Sequence, residues 1–243
     1  MKVAAIVQAR MGSTRLPGKV LLDIAGKSML GRVVERLSGA ESLDVVLVAT
    51  TDSPHDDVIV EECRRLSVAV FRGQEDDVLD RYHQAARSIA ADVVVRVTSD
   101  CPLIDPEVTD HTIRKFLVEQ PDYASNVLVR TYPRGLDTEV MTAQALRQAW
   151  GEADQAYQRA HVTPYIYEHP EKFKLLSVTG EQDYSQHRWT VDTPEDLGLI
   201  HAIYERLRGK GDFVWRDVLA LFNDEPELSA LNRGVAQKAI HLG

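Results

Sequence analysis

Short runs of apolar residues that alternate with stretches of helical periodicity constrain this chain more than any other feature. Val3 to Ala9, Val45 to Thr50, Val68 to Phe71 and Asp92 to Thr98 read as strands, and Lys27 to Leu37, Ser53 to Leu66 and Asp76 to Ala90 as the helices between them. Ser53 before Pro54 has the form of an N-cap followed by proline in the first turn. A strand without polar alternation must be covered on both faces, and strands joined through helices pair in parallel. The expected fold is therefore α/β, a three-layer sandwich around a mainly parallel, Rossmann-like sheet. In such sheets ligands bind where loops leave the carboxyl ends of the strands, which selects residues 10–19, 72–81 and 99–106.

Beyond about Gln120 the rhythm loosens. Short strand-like pieces at 122–127, 138–142 and 174–178 surround helical stretches at 143–153 and 155–168. We read 122–175 as a small arm or subdomain built on the sheet, within one domain that spans 1–243. His187 to Val191 returns as a strand, Thr193-Pro194-Glu195 opens a helix through Leu207, and Trp215 to Phe222 makes another. With 44% apolar residues in 243, the chain can build a sizeable core. No apolar run approaches the roughly 20 residues of a membrane span, and no leader-like segment opens the sequence, so a cytoplasmic location is expected. Two cysteines, Cys63 and Cys101, lie in no metal-ligand spacing and read as buried apolar fillers. A formal charge of −9 argues against a nucleic-acid partner, because phosphate backbones demand positive potential.

The basic residues are nevertheless concentrated where the sheet should bind a ligand. Gln8-Ala9-Arg10-Met11-Gly12-Ser13-Thr14-Arg15-Leu16-Pro17-Gly18-Lys19 follows the first strand. Its glycines let backbone N–H groups approach phosphate oxygens, Ser13 and Thr14 can donate further hydrogen bonds, and Arg10, Arg15 and Lys19 can offset the charge of a triphosphate. Lacking G-x-x-x-x-G-K-[ST] and G-x-G-x-x-G, it is neither a Walker-type loop nor a dinucleotide fingerprint. The bland alternative is a solvated basic turn, which seldom combines this position, charge density and glycine content.

The stretch from Ala9 to Lys19 resembles the signature loop of the cytidylyltransferases that activate sugar acids, including the acylneuraminate and 3-deoxy-manno-octulosonate (KDO) enzymes. The likeness is greatest to the spore coat polysaccharide biosynthesis protein F group. It extends through Arg72-Gly73 to Asp80-Arg81, Thr98-Ser99-Asp100-Cys101-Pro102, Tyr132-Pro133-Arg134-Gly135-Leu136-Asp137, His161-Val162-Thr163-Pro164-Tyr165 and Arg188-Trp189-Thr190-Val191-Asp192-Thr193-Pro194-Glu195-Asp196. The resemblance implies the sheet of nucleotide-diphospho-sugar transferases, CTP as donor, Mg²⁺ as cofactor, and pairing as a homodimer through the arm.

Nucleotidyl transfer needs cations to screen the triphosphate and to take up charge on the departing pyrophosphate, and Mg²⁺ is usually held by one or two carboxylates with phosphate and water. Asp100, directly after the fourth strand, is the first candidate ligand; its structural competitor is a turn cap with Pro102. The resemblance implies that Asp192 completes the metal site, and Asp192 also fits the N-cap of the helix that Pro194 opens. Asp105 and Asp196 read as a cap and a surface residue. Arg10, Lys19 and Asp100 are thus the catalytic candidates, with no dedicated general base.

In related enzymes, loops like Arg72-Gly73 and Asp80-Arg81 recognise cytosine, although Asp80 and Arg81 also fit an exposed helical pair. Thr98-Ser99 stand where KDO enzymes carry Gln-Gly, so a glutamine amide is missing. Tyr132, Arg134, Asp137 and Glu139 are candidate sugar contacts, since arginine can hold a carboxylate through two hydrogen bonds and the acids can accept from hydroxyls; a flexible loop with stray charges is the alternative. His161 resembles a family position near the acceptor, yet a lone histidine on a helix is more often packed or capped. The expected reaction is attack of an acceptor hydroxyl on the α-phosphate of CTP, giving a CMP-sugar and pyrophosphate by positioning and electrostatics. Competing readings are transfer to a sugar 1-phosphate, a glycosyltransferase of the same fold, for which Ser99-Asp100-Cys101 lacks the usual D-x-D, and a non-catalytic nucleotide-binding protein.

Overall fold

A computed structural model describes residues 1–237. The chain runs through β1 (Val3–Gln8), the two-residue strands β2 (Asp23–Ile24) and β3 (Lys27–Ser28), α1 (Met29–Leu37), β4 (Val45–Thr51), α2 (Asp57–Arg65), β5 (Ala69–Gly73), α3 (Val78–Ser88), β6 (Val93–Thr98) and α4 (Pro106–Glu119). It continues with β7 (Tyr123–Ser125), β8 (Glu139–Thr142), α5 (Ala143–Glu152), α6 (Ala156–His161), α7 (Pro164–Tyr167), β9 (Leu175–Ser177), α8 (Pro194–Arg206) and α9 (Trp215–Asp224). The main sheet has the order β5-β4-β1-β6-β8-β7-β9. Strands β5, β4, β1 and β6 pair in parallel, and β8 runs antiparallel to both its neighbours. The sheet is thus mainly parallel, as the apolar runs require.

Alternation along β1 supplies both faces. Val3, Ala5 and Val7 point to one core with Leu30, Val33 and Leu37 of α1, Ile59 and Cys63 of α2, and Ile113 and Phe116 of α4. Ala4 and Ile6 point to the other, with Leu79, Tyr82 and Ala86 of α3 and Leu146 and Ala149 of α5. A third cluster gathers α8 and α9 around Trp189, together with Leu103 and Leu136. Both cysteines are buried, as expected of apolar fillers. Among the described residues no helix is long and apolar enough to cross a membrane.

The region 122–175 is built onto the sheet, where β7, β8 and β9 extend it and α5 packs on its face against α3. Several elements differ from the sequence reading. The reading omitted α4, whose polar stretch Thr109-Asp110-His111 obscures the helical stripe, although Asp105 caps it by accepting from Glu107 N and Val108 N at 3.0 and 3.2 Å. The helix expected over 155–168 breaks at Val162, where φ is 73°. His187 to Val191 is extended but joins no strand of the sheet, because its hydrogen bonds go to loops on either side. Trp189 N donates to Arg134 O at 2.7 Å and Val191 N to Asp100 O at 2.8 Å.

Candidate active site

Three chain segments distant in sequence meet at the carboxyl end of β1. Gln8 and Thr98 are register partners of the parallel pair β1 and β6, so the loops after these strands leave the sheet side by side. The first loop folds on itself through Ser13 N and Gly18 N, which both donate to Met11 O, at 2.8 and 3.1 Å. Gly18 takes φ 67°, a conformation glycine adopts without steric cost, and Lys19 then opens one turn of 3₁₀-helix. The second loop brings Asp100. The extended 188–192 segment, bound to Asp100 O through Val191 N and through Thr190 Oγ1 at 3.2 Å, brings Asp192.

At the meeting point Lys19 Nζ donates to Asp100 Oδ2 at 2.8 Å, to Asp192 Oδ1 at 2.9 Å and to Val191 O at 2.7 Å. The second oxygen of Asp192 pairs with Arg15 at 3.0 Å and accepts from Arg188 Nη2 at 2.7 Å. Asp100 Oδ1 accepts from Thr98 Oγ1 at 2.6 Å. Burial alone would lower the pKa of Lys19, but Asp100 and Asp192 hold it above its ordinary 10.5. Burial likewise opposes ionisation of Asp192, yet Lys19, Arg188 and Arg15 hold its carboxyl below 3.8. Both groups are therefore charged throughout the neutral range.

Asp196, expected at the surface, is 1% exposed. Its oxygens accept from Arg188 Nε at 2.9 Å, Asn232 Nδ2 at 2.9 Å, Asp192 N at 2.9 Å and Thr193 N at 3.1 Å. Thr193 and Asp196 form a capping box, the reciprocal pairing of N-cap and third-residue side chains that a T-x-x-D spacing permits. Arg188, which had not been singled out for a role, therefore bridges the buried cap to the carboxylate of Asp192.

The rest of the 10–19 loop faces outward. Gly12, Thr14 and Arg15 are exposed, Ala9 is buried where the loop leaves β1, and Arg10 reaches Glu75 at 3.6 Å. Asp56, another residue not foreseen, is 3% exposed and accepts from Met11 N at 2.8 Å, while Thr51 Oγ1 donates to its other oxygen. A cavity of about 280 Å³ lies beside the loop, lined by Met11, Gly12, Ser53, His55, Asp56 and Glu75. A larger cavity of about 1540 Å³ opens by Arg36, Pro106, Tyr204 and Trp215. Size alone would nominate it as the binding site, but its lining contains none of the loop cations and neither Asp100 nor Asp192.

Several expected ligand contacts are engaged within the protein. Arg72 donates to Thr51 O and Ser53 O, both at 2.9 Å, and to Asp57 at 2.7 Å, pinning the turn that carries Asp56. Arg81 is 1% exposed and is not a surface residue. Its side chain lies under Gly73 and donates to Gln74 O at 2.7 Å, and burial lowers its pKa. Asp80 accepts from Trp150 Nε1 at 2.8 Å, tying α3 to α5. Ser99 is buried, with its N–H on Gln8 O at 3.1 Å. Glu139 is 5% exposed and its oxygens are engaged within the protein: it pairs across strands with Arg96 and accepts from Tyr123 Oη at 2.5 Å and Thr163 Oγ1 at 2.7 Å. Tyr132 packs edge-on against Trp215 at the larger cavity. His161 ends α6, which packs on α3.

Arg134 and Asp137 lie closer to the chemistry. Asp137 is held by two hydrogen bonds from Arg130, at 2.6 and 2.8 Å. The guanidinium of Arg134 is half-buried and has no hydrogen bond or ion pair among the described residues. Burial, and then the cations Arg130 and Arg188, lower its pKa. Asp137 partly offsets this, and Arg134 lies next to the segment that carries Asp192.

The profile of the cytidylyltransferase family matches residues 4–217. The spore coat polysaccharide biosynthesis protein SpsF of Bacillus subtilis is 32% identical over 91% of this chain and 94% of its own length. A 3-deoxy-manno-octulosonate cytidylyltransferase of Anaeromyxobacter dehalogenans is 32% identical over 83% of this chain and 97% of its own. Among solved structures, a cytidylyltransferase from Leptospira borgpetersenii superposes with a TM-score of 0.91 at 35% identity, covering 98% of this chain and all of that one.

Proposed function

Because the chain belongs to the cytidylyltransferase family, we propose that it transfers CMP from CTP to a hydroxyl of a sugar acid, releasing pyrophosphate, in the building of a surface polysaccharide or glycan. The convergence of Lys19 with Asp100 and Asp192 beside the triphosphate loop carries this reading. Arg10, Arg15 and the exposed backbone around Gly12 and Thr14 would hold the triphosphate. Asp100 and Asp192 would hold Mg²⁺; two carboxylates suit an ion that takes its remaining ligands from phosphate and water. When bound, the metal supplies charge neutralisation at the phosphates and at the leaving pyrophosphate. Arg188 and Asp196 keep Asp192 in place, and Asp56 and Arg72 keep the loop in place, so little reorganisation accompanies the reaction.

Arg134, whose guanidinium makes no hydrogen bond or ion pair among the described residues, supports an anionic acceptor. A carboxylate laid against it would satisfy its donors and orient the acceptor hydroxyl toward the nucleotide. The same guanidinium would accept a phosphomonoester, so sugar 1-phosphates belong in the test. The protein is incubated with Mg²⁺ and each of CTP, UTP, GTP and ATP against a panel of ulosonic acids, their analogues without the carboxylate, and sugar 1-phosphates. The expected result is pyrophosphate release with CTP and an acid. Release only with a sugar 1-phosphate, or none with any pair while the protein remains folded, would reject the proposal.

A further inference from the structure

We infer that Lys19 is a built-in counter-ion which a divalent metal and the nucleotide displace together, so that metal and CTP bind as a coupled pair rather than independently. This rests on the cytidylyltransferase reading and adds an order of events to it. An ammonium has three N–H donors, and all three are used here, on Asp100, Asp192 and Val191 O. None is left for a phosphate. Lys19 therefore contributes to triphosphate binding only after giving up at least one of these partners.

The same bonds close the site to a metal. The carboxylate oxygens a cation would need are those Lys19 holds at 2.8 and 2.9 Å. A divalent ion between them would stand within a few ångströms of the ammonium, and like charges repel strongly where solvent is largely excluded. The surrounding charge is balanced: Lys19, Arg15 and Arg188 face Asp100, Asp192 and Asp196. A metal arriving alone leaves that cluster with an excess of positive charge. A triphosphate arriving with it gives Lys19 another anion to bind, within reach of a flexible four-carbon stem. Each ligand thus removes the obstacle to the other, which is the definition of positive coupling.

The test uses Mn²⁺ as probe, with free Mn²⁺ measured by electron paramagnetic resonance in the absence of nucleotide. Lys19→Met keeps the stem and removes the charge; Lys19→Gln is the second variant. Without CTP, both should bind Mn²⁺ at least about tenfold more tightly than the wild type, within the range of coupling between ligand sites. Adding Asp192→Asn to Lys19→Met should abolish the gain. In the wild type, the Lys19 ¹⁵Nζ resonance should stay in place with Mg²⁺ alone and move with Mg²⁺ and CTP together. Folded variants that bind Mn²⁺ no more tightly than the wild type, or a resonance that moves fully with Mg²⁺ alone, would overturn the exchange. If the wild type binds Mn²⁺ and CTP together normally in such a case, the exchange fails alone; if it binds no CTP even with metal, the cytidylyltransferase reading fails.

Discussion

Gly135 is where the loop carrying Arg134 presses on the segment that leads to Asp192. Its φ is 109°, and a Cβ added there would lie 2.7 Å from Trp189 C, 2.8 Å from Thr190 N and 2.9 Å from Trp189 O. These are backbone atoms, and the segment they belong to is held by hydrogen bonds to Arg134 O and Asp100 O at 2.7 and 2.8 Å. It cannot retreat without loosening one of them. Holding alanine at this dihedral costs about 1–3 kcal/mol, and forcing a methyl group into a closed contact costs about 1–3 kcal/mol more. For a domain of this size each kcal/mol lowers the melting temperature by about 2–4 °C, so Gly135→Ala should melt about 4–24 °C below the wild type. Gly198, exposed in α8 with nothing within 4 Å of an added Cβ, is the control. There alanine should stabilise by about 0.5–1 kcal/mol, because a helix favours it over glycine. Thermal unfolding followed by circular dichroism reads both. A Gly135→Ala protein that melts within about 2 °C of the wild type would refute the close approach described for this loop.

Other outcomes follow from the same geometry. Glu139→Gln leaves Arg96 buried without its charge partner and should cost about 3–5 kcal/mol in urea unfolding; a loss under 1 kcal/mol would mean that the cross-strand pair is not closed as described. Asp196→Asn removes the charge that orients Arg188, so the Mg²⁺ concentration for half-maximal pyrophosphate release should rise about tenfold while the circular dichroism spectrum is unchanged. The stability supplied by Asp192, whose carboxyl is held below its ordinary 3.8, is present above that value and lost as pH falls through the lower folded-state value. The difference in unfolding free energy between wild type and Asp192→Asn should therefore hold steady at neutral pH and narrow only below pH 3.8.

The parallel sheet was legible because its strands are apolar on both faces, as in Val93-Val94-Val95, and that pattern has few other solutions. The loop at 10–19 drew attention because charge, hydroxyls and glycine crowd together after a strand, and the structure places its Lys19 against Asp100 and Asp192. What stayed hidden depends on contacts distant in sequence. Glu139 looks like an acid free for a ligand until Arg96 appears opposite it on the neighbouring strand. Arg81 looks like a surface helix residue until Gly73 is seen to close over it. The extended run at 187–191 has strand-like composition, and only the loops at 134 and 100 reveal that its hydrogen bonds leave the sheet. Asp196 was partly readable, since the T-x-x-D spacing signals a capping box, but its grip on Arg188 and Asn232 was not.

The most direct measurement is the anomalous scattering of manganese in crystals grown with Mn²⁺ and CTP. The account requires one peak within coordination distance of both Asp100 and Asp192, a triphosphate along residues 10–19, and Lys19 withdrawn from the carboxylates onto phosphate oxygen. Manganese and nucleotide bound in the cavity beside Trp215, with Lys19 still bridging the two aspartates, would contradict it.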